Sequence, residues 1–455
     1  MKTSSAGTLT IAALLAAACA DDDKRGRADA EAGRPDVIDA GGSAQRRCVA
    51  DAAGCGQWSE YAECGPKGCE SSMKECAITA GLQIQQWGEG VSDEIHALAA
   101  RPSGGALLAG YSEGALDGQT NAGGNDFFVS ARSNNGARQW TYLAGTPQYD
   151  SADGVVVDAD GNIYVAGQTE GKLGAQQQVA RDAFVRKLRP DRSVEWTTQW
   201  GTPNTERVTD LARDGAGNLY VSGWTTGNLG AAPAGLYDLF VTKLSPSGAL
   251  LWSVQRGTSV DDLAIQLDVD QAGNVYVVGS TSGALSSTDT AVGQNDLFLM
   301  KIAAAGQVQW IRQWGSMEDD GALDVAALAD GDLLVGGYSW GTLPKATGQG
   351  GGVLTRLDPA GNVRWAVLLG AGNRDGVNRI AVRGETAYVA GVTYGDAVPG
   401  FGQGMRDIFV AALKLDGTKL WVKQTGTDQH DEPLAIAVAN DATVYVGGVT
   451  SGSFP

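Results

Sequence analysis

Residues 150–202 read DSADGVVVDADGNIYVAGQTEGKLGAQQQVARDAFVRKLRPDRSVEWTTQWGT. Four strand-length apolar runs stand in it: GVVVD, NIYVAGQT, AFVRKL and SVEWTTQW. Turns such as DADGN separate them, where Gly and Asn supply the positive φ of a tight hairpin. Inside the stretch lies GQTEG (167–171), one copy of Gly-x-[Ser/Thr]-x-Gly. The others are GYSEG (110–114), GWTTG (223–227), GSTSG (279–283), GYSWG (337–341), GVTYG (391–395) and GVTSG (448–452), each 54 to 58 residues after the last. Taken alone, GYSEG resembles the turn that exposes the nucleophilic serine of many hydrolases. A catalytic elbow occurs once per site, however, and the chain has only two histidines, His96 and His430, to serve as base. Ser112 therefore reads as repeat punctuation, and no residue is assigned a catalytic role.

Four antiparallel strands every 56 residues or so is the arithmetic of propeller blades. Trp140, Trp196, Trp252, Trp310, Trp365 and Trp421 mark the fourth strand, and Asp126, Asp182, Asp238, Asp296 and Asp407 open the third, with Gly352 at that place in the fifth unit. Six units are complete, and the chain stops at SGSFP after the second strand of a seventh. LQIQQWGEG (82–90) matches SVEWTTQWGTP and so supplies the missing outer strand from the other end, closing the ring and removing free edges. The expectation is an all-β, seven-bladed propeller over 82–455. The source of its last third strand stays open, because residues 69–75 occupy the register without resembling Asp-x-Phe-Val.

The recurring VD..GN.YV.G.T.G, D.FV.KL and W…G resemble the bacterial seven-bladed beta-propeller repeat (SBBP-type) family over roughly 82–455. That resemblance implies the propeller fold and an envelope location, and no known reaction.

Before the repeats, Met1-Lys2 and the apolar run from Ala6 to Ala18 read as a signal peptide (1–18), too short for a membrane span. LLAAAC places Cys19 where a bacterial lipoprotein is lipidated, although Ala16 stands where a lipobox usually has Leu, and Ala16-Ala17-Ala18 also suits ordinary signal peptidase. Residues 19–47 are a charged, solvated tether of roughly 30 Å. Cys48, Cys55, Cys64, Cys69 and Cys76 make 48–78 a disulfide-stabilised segment with its pairing open; zinc is the rival, without a Cys-x2-Cys pair to support it. WSEYAECGPKGCESSMKEC faintly resembles a thrombospondin type-1 module but is too short and lacks the arginine ladder, so nothing of that family's function is carried over. Export to the outer membrane or cell surface through a lipid anchor is expected, or otherwise a secreted or periplasmic protein.

Two residue sets are candidate sites. Five residues after the glycine closing each fourth strand stands an acid: Asp93, Asp150, Glu206, Asp262, Asp320, Asp375 and Asp431. Opening the innermost strands, they form a ring near one channel mouth. The structural reading has each accept backbone N–H bonds from a neighbouring turn; the sharper reading is a cation site, for which Ca²⁺ suits converging oxygens. Tyr111, Trp224, Tyr338, Trp340 and Tyr394 cluster at the Gly-x-[Ser/Thr]-x-Gly turns, as recognition anchors on loops or as blade-to-blade packing. A net charge of −18 argues against nucleic acid, which needs clustered Lys and Arg. These features fit a monomeric, non-catalytic envelope binding or adhesion scaffold for a protein or glycan, touching the membrane only through its lipid and needing no cofactor. The alternatives are a quinoprotein-like enzyme, from LDPAGNVRW (357–365), and a structural assembly factor.

Overall fold

A computed structural model describes residues 92–455 apart from 176–179, 290, 344–349, 371, 373, 403, 453 and 455, together with the strands Leu9–Ala16, Arg47–Ala50, Gly56–Ser59 and Leu82–Trp87. Six blades are each built of four consecutive antiparallel strands, over residues 93–144, 150–200, 206–256, 262–314, 320–369 and 376–425. The first strands of successive sheets neighbour one another in a closed circuit around a central channel.

The number of such blades is six, not the expected seven. The reason is that the seventh unit contributes only two strands of its own, Asp431–Val438 and Thr443–Thr450. Leu9–Ala16 pairs with Thr443–Thr450 on one side and with Leu82–Trp87 on the other, so this sheet is assembled from both ends of the chain. It packs between blade six, through Tyr388, Ile408 and Val410 against Val444 and Val446, and blade one, through Ala106 against Tyr445. Gln86 seals the join: its Nε2 donates to the Gly452 carbonyl at 2.8 Å and its Oε1 accepts from the Phe454 amide at 3.0 Å. Leu82–Trp87 thus is the fourth strand of the closing sheet, as the sequence indicates.

Each first strand carries a β-bulge opposite the second, which leaves His96, Asp153, Thr209, Ile265, Leu323, Asn378 and Leu434 as the extra residues. The bulge explains the recurring glycines. A Cβ on Gly167 would overlap the Ser151 carbonyl, and the same first-strand carbonyl approaches Gly110, Gly223, Gly279, Gly337, Gly391 and Gly448. A Cβ on the closing glycine, Gly171, would overlap the Thr146 side chain in the loop from the previous blade. Phe128, Phe184, Phe240, Phe298 and Phe409 are fully buried, the last four packed between their own sheet and the preceding one. The fifth unit departs in register as well as composition: Gly351, not Gly352, lies opposite Ser339 where the sister strands place Asp. Cys19, Cys55, Cys64, Cys69 and Cys76 lie outside the described residues; Cys48 is on Arg47–Ala50, which pairs with Gly56–Ser59.

Candidate functional site: the loop face and the channel

Because first strands begin where second strands end, the second-to-third loops and the blade-to-blade loops share one face. The ring acids lie beneath it, each at most 1% exposed. Six of them show their partners. Asp150 accepts the amide and hydroxyl of Thr146 at 2.6 and 2.8 Å; Glu206, Asp262, Asp320 and Asp431 do the same with Thr202, Thr258, Ser316 and Thr427. Thr225 and Thr281, the hydroxyl residues of the Gly-x-Thr-x-Gly turns, donate to Glu206 and Asp262 at 2.8 and 2.5 Å. Asp375 accepts from the amides of Gly372 and Tyr394 and from the Thr393 hydroxyl. Backbone and hydroxyl donors therefore reach six of the seven acids. Among the described residues no three His, Cys, Asp or Glu side chains converge as metal ligands would.

These acids do not stand alone in each seam. Gly145 brings Asp126, from the third strand of blade one, beside Asp150 of blade two, and Gly201 does the same for Asp182 and Glu206. Burial pushes the carboxyls of Asp126 and Asp150 above the usual range, and their hydrogen bonds pull the other way. Glu206, Asp262, Asp320 and Asp431 are raised likewise by burial, and the facing Asp182, Asp238, Asp296 and Asp407 add to it.

The seam is completed by a residue that the sequence reading did not single out. In blade two, Gln199 Nε2 donates to the Gly171 carbonyl and to Asp182, while its Oε1 accepts from the amides of Leu173 and Gly174. Gln255 and Gln313 repeat all four bonds, and Gln424 repeats three. The signal was available: Gln stands two residues before the fourth-strand glycine in QQWG, TQWG, VQRG, RQWG and KQTG.

Below the ring, a cavity of about 570 Å³ occupies the channel, with His96, Asp153, Asp210, Asp268, Asp324 and Arg379 in its wall. Asp210, Asp268 and Asp324 each reach the next blade, accepting from the amides of Leu267, Ala327 and Ile380 at 3.1, 2.8 and 2.6 Å. Burial pushes Asp324 up to about 7, against the pull of Arg379, and Asp210 and Asp268 to about 6. His96 sits between Asp153, 2.8 Å from Nδ1, and Glu94, 3.1 Å from Nε2. Burial alone would lower the imidazole, but the two carboxylates outweigh it and hold it at about 9. At neutral pH it is an imidazolium with both nitrogens donating. That is the wrong state for a general base.

Ser112 is fully buried, and its hydroxyl exchanges hydrogen bonds with the carbonyl and amide of Gly114. DADGN (158–162) is a hairpin in which Asp158 accepts the amides of Asp160 and Asn162. Asp358 of LDPAGNVRW accepts those of Ala360 and Asn362 in the same way, so this too is one hairpin among several of its kind.

The five candidate aromatics divide. Tyr111 is half-buried, edge-on to His96 at 5.4 Å; Trp224 packs edge-on against Tyr237 at 4.6 Å; Tyr338 lies 6.1 Å from Trp340. Trp340 and Tyr394 are exposed. They are joined on the same face by Leu236, Val260, Met317, Phe401 and Met405, all exposed and all from loops of blades three to six. The opposite face exposes only Val194, Leu250 and Leu251 among the large apolar side chains of the described residues.

A closed circuit of four-stranded antiparallel sheets around a channel defines a β-propeller. The family model described as SBBP, beta-propeller repeat, matches residues 139–174 and 195–230 of the chain. It is also similar to the regulatory protein FlaEY of Caulobacter vibrioides, 27% identical over 388 residues, an alignment that takes in 73% of this chain but only 40% of that protein. Similar solved structures include a protein of unknown function from Bacteroides caccae (14% identity, 64% of this chain and 86% of that one, TM-score 0.39). A puromycin hydrolase S511A mutant gives 14% identity, 76% of this chain and 48% of that one, and a TM-score of 0.41. Likeness at this level carries no information on activity.

Proposed function

We propose that this chain is a non-catalytic scaffold of the cell envelope whose loop face binds a protein partner. The observation that carries the proposal is the set of seven large apolar side chains exposed on that one face. Exposed aromatic and other large apolar side chains carried on loops of one face are the kind of anchor a protein partner uses. In this reading the ring of first strands, closed through Asp431–Val438, holds the loops in place. The N-terminal leader directs export, and Cys19 carries the lipid that ties the propeller to a membrane by its tether. In this reading backbone and hydroxyl donors, rather than calcium, hold the ring acids. Similarity to a protein described as regulatory supports a role in binding rather than in turnover.

A protein partner is favoured over a glycan because the face is rich in aliphatic and thioether groups as well as aromatics. The test is recovery of envelope proteins on the full chain and on a Met317→Asp, Phe401→Asp variant of unchanged melting temperature. The proposal expects at least one protein to be retained by the first and lost from the second. Identical recovery on both would remove the face from consideration.

A further inference from the structure

The third-strand slot of the closing sheet has the same register as its sisters. Leu9 lies opposite Thr450 and Thr10 opposite Trp87, as Asp182 lies opposite Thr169 and Ala183 opposite Trp200. The strand that fills it, Leu9–Ala16, belongs to the run read as an export leader. Removal of that leader before Cys19 would leave the Thr443–Thr450 edge open along eight residues, with Leu82–Trp87 held by the Gln86 clamp.

No segment between residues 17 and 81 carries the Asp-x-Phe-Val of the sister strands. In the six blades the third strand begins 18 residues before the partner of its second residue, as Asp182 precedes Trp200, and the same count back from Trp87 reaches Cys69. Residues 69–75 (CESSMKE) then put Ser71 where five blades have a buried Phe and Glu75 where the second blade has Leu188. No Phe occurs anywhere before Phe127. An edge of this length, flanked by a waiting outer strand, is an acceptor for strand addition.

We propose that the closing sheet of the processed protein is a strand-acceptor site for an extended apolar segment of a partner protein, with the pattern Asp-x-Phe-Val-x-x-Leu of the sister strands. This rests on the leader being removed, as the envelope reading requires. The backbone of Thr443–Thr450 supplies affinity through ladder hydrogen bonds, and the pockets that take Phe184 and Leu188 in blade two define the side chains preferred.

The probe is a synthetic peptide with the sequence of Asp182–Leu188, DAFVRKL. It is offered to the full chain, to the full chain carrying Ala13→Pro, which cannot keep a ladder on both edges, and to the processed protein isolated from cells. Binding and amide exchange of residues 443–450 are read together. The expected result is at least tenfold tighter binding to the variant and to the processed protein than to the full chain, with fast exchange that the peptide slows. Slow exchange in both without peptide means that another segment of the chain fills the slot and overturns the proposal. Fast exchange without peptide binding also overturns it. Mass spectrometry of the isolated protein checks the premise separately: residues 9–16 still present would refute leader removal, whatever the peptide does to the variant.

Discussion

Replacing Gln255 by Leu tests whether the glutamine clamps hold the seams. The side chain is 2% exposed and makes four hydrogen bonds, accepting from the amides of Leu229 and Gly230 and donating to the Gly227 carbonyl and Asp238. Leucine keeps most of the volume and removes every bond. A buried group left unpaired costs roughly 1–3 kcal/mol. With the loop relaxing enough to hydrate some of the four, the expected loss is about 3–5 kcal/mol. Urea unfolding of the variant should move to a lower midpoint by that amount, and exchange at Leu229 and Gly230 should quicken. Gln307→Leu is the control, since that exposed amide bonds only to the nearby Ala305 carbonyl and should cost under about 0.5 kcal/mol. A loss below about 1 kcal/mol for Gln255→Leu would refute the view that the clamp matters.

Ser112→Ala should cost about 1 kcal/mol through its lost bonds to Gly114, while Ser112→Thr should be tolerated as in five sister turns; neither should abolish an esterase activity, and loss of one in an esterase assay of Ser112→Ala would restore the nucleophile reading. His96 has its folded pKa raised from 6.5 to about 9, so its contribution to stability is complete below about pH 6.5 and disappears as pH rises through about 9. The melting temperature of the wild type should therefore fall more steeply between pH 7 and 10 than that of His96→Gln, and parallel curves would contradict the ion-paired imidazolium. Added calcium or EDTA should shift the melting temperature by no more than about 1–2 °C, because ligation would otherwise stabilise as RT ln(1 + [L]/Kd); a shift of many degrees would move the ring acids to the metal reading.

The blade phase is legible because each repeat solves the same packing problem. Gly167 must admit the Ser151 carbonyl and Thr169 must serve the acid ring, so both letters recur wherever the turn recurs. The outer closing strand is legible for the same reason, since Gln86 and Trp87 sit in a motif shared with Gln199 and Trp200. The occupant of the last third-strand slot is not legible: Leu9–Ala16 is apolar except for Thr10, and that composition suits a leader as well as a strand. That the seventh unit owns only two consecutive strands is legible from the spacing, and Asp431–Val438 and Thr443–Thr450 are those two. The exposed face is the least legible part. Met317, Leu236 and Met405 lie in loops without periodicity, where nothing in the letters separates a buried side chain from an exposed one.

The claim that the loop face is the binding surface is tested most directly by crosslinking in living cells. A photoreactive residue is placed at Met317 or Trp340 on that face, and at Leu250 or Leu251 on the opposite one, all of them exposed. The account predicts a discrete covalent adduct with another protein from the first two positions and none from the second two. Adducts only from Leu250 and Leu251, or equally from all four, would contradict it.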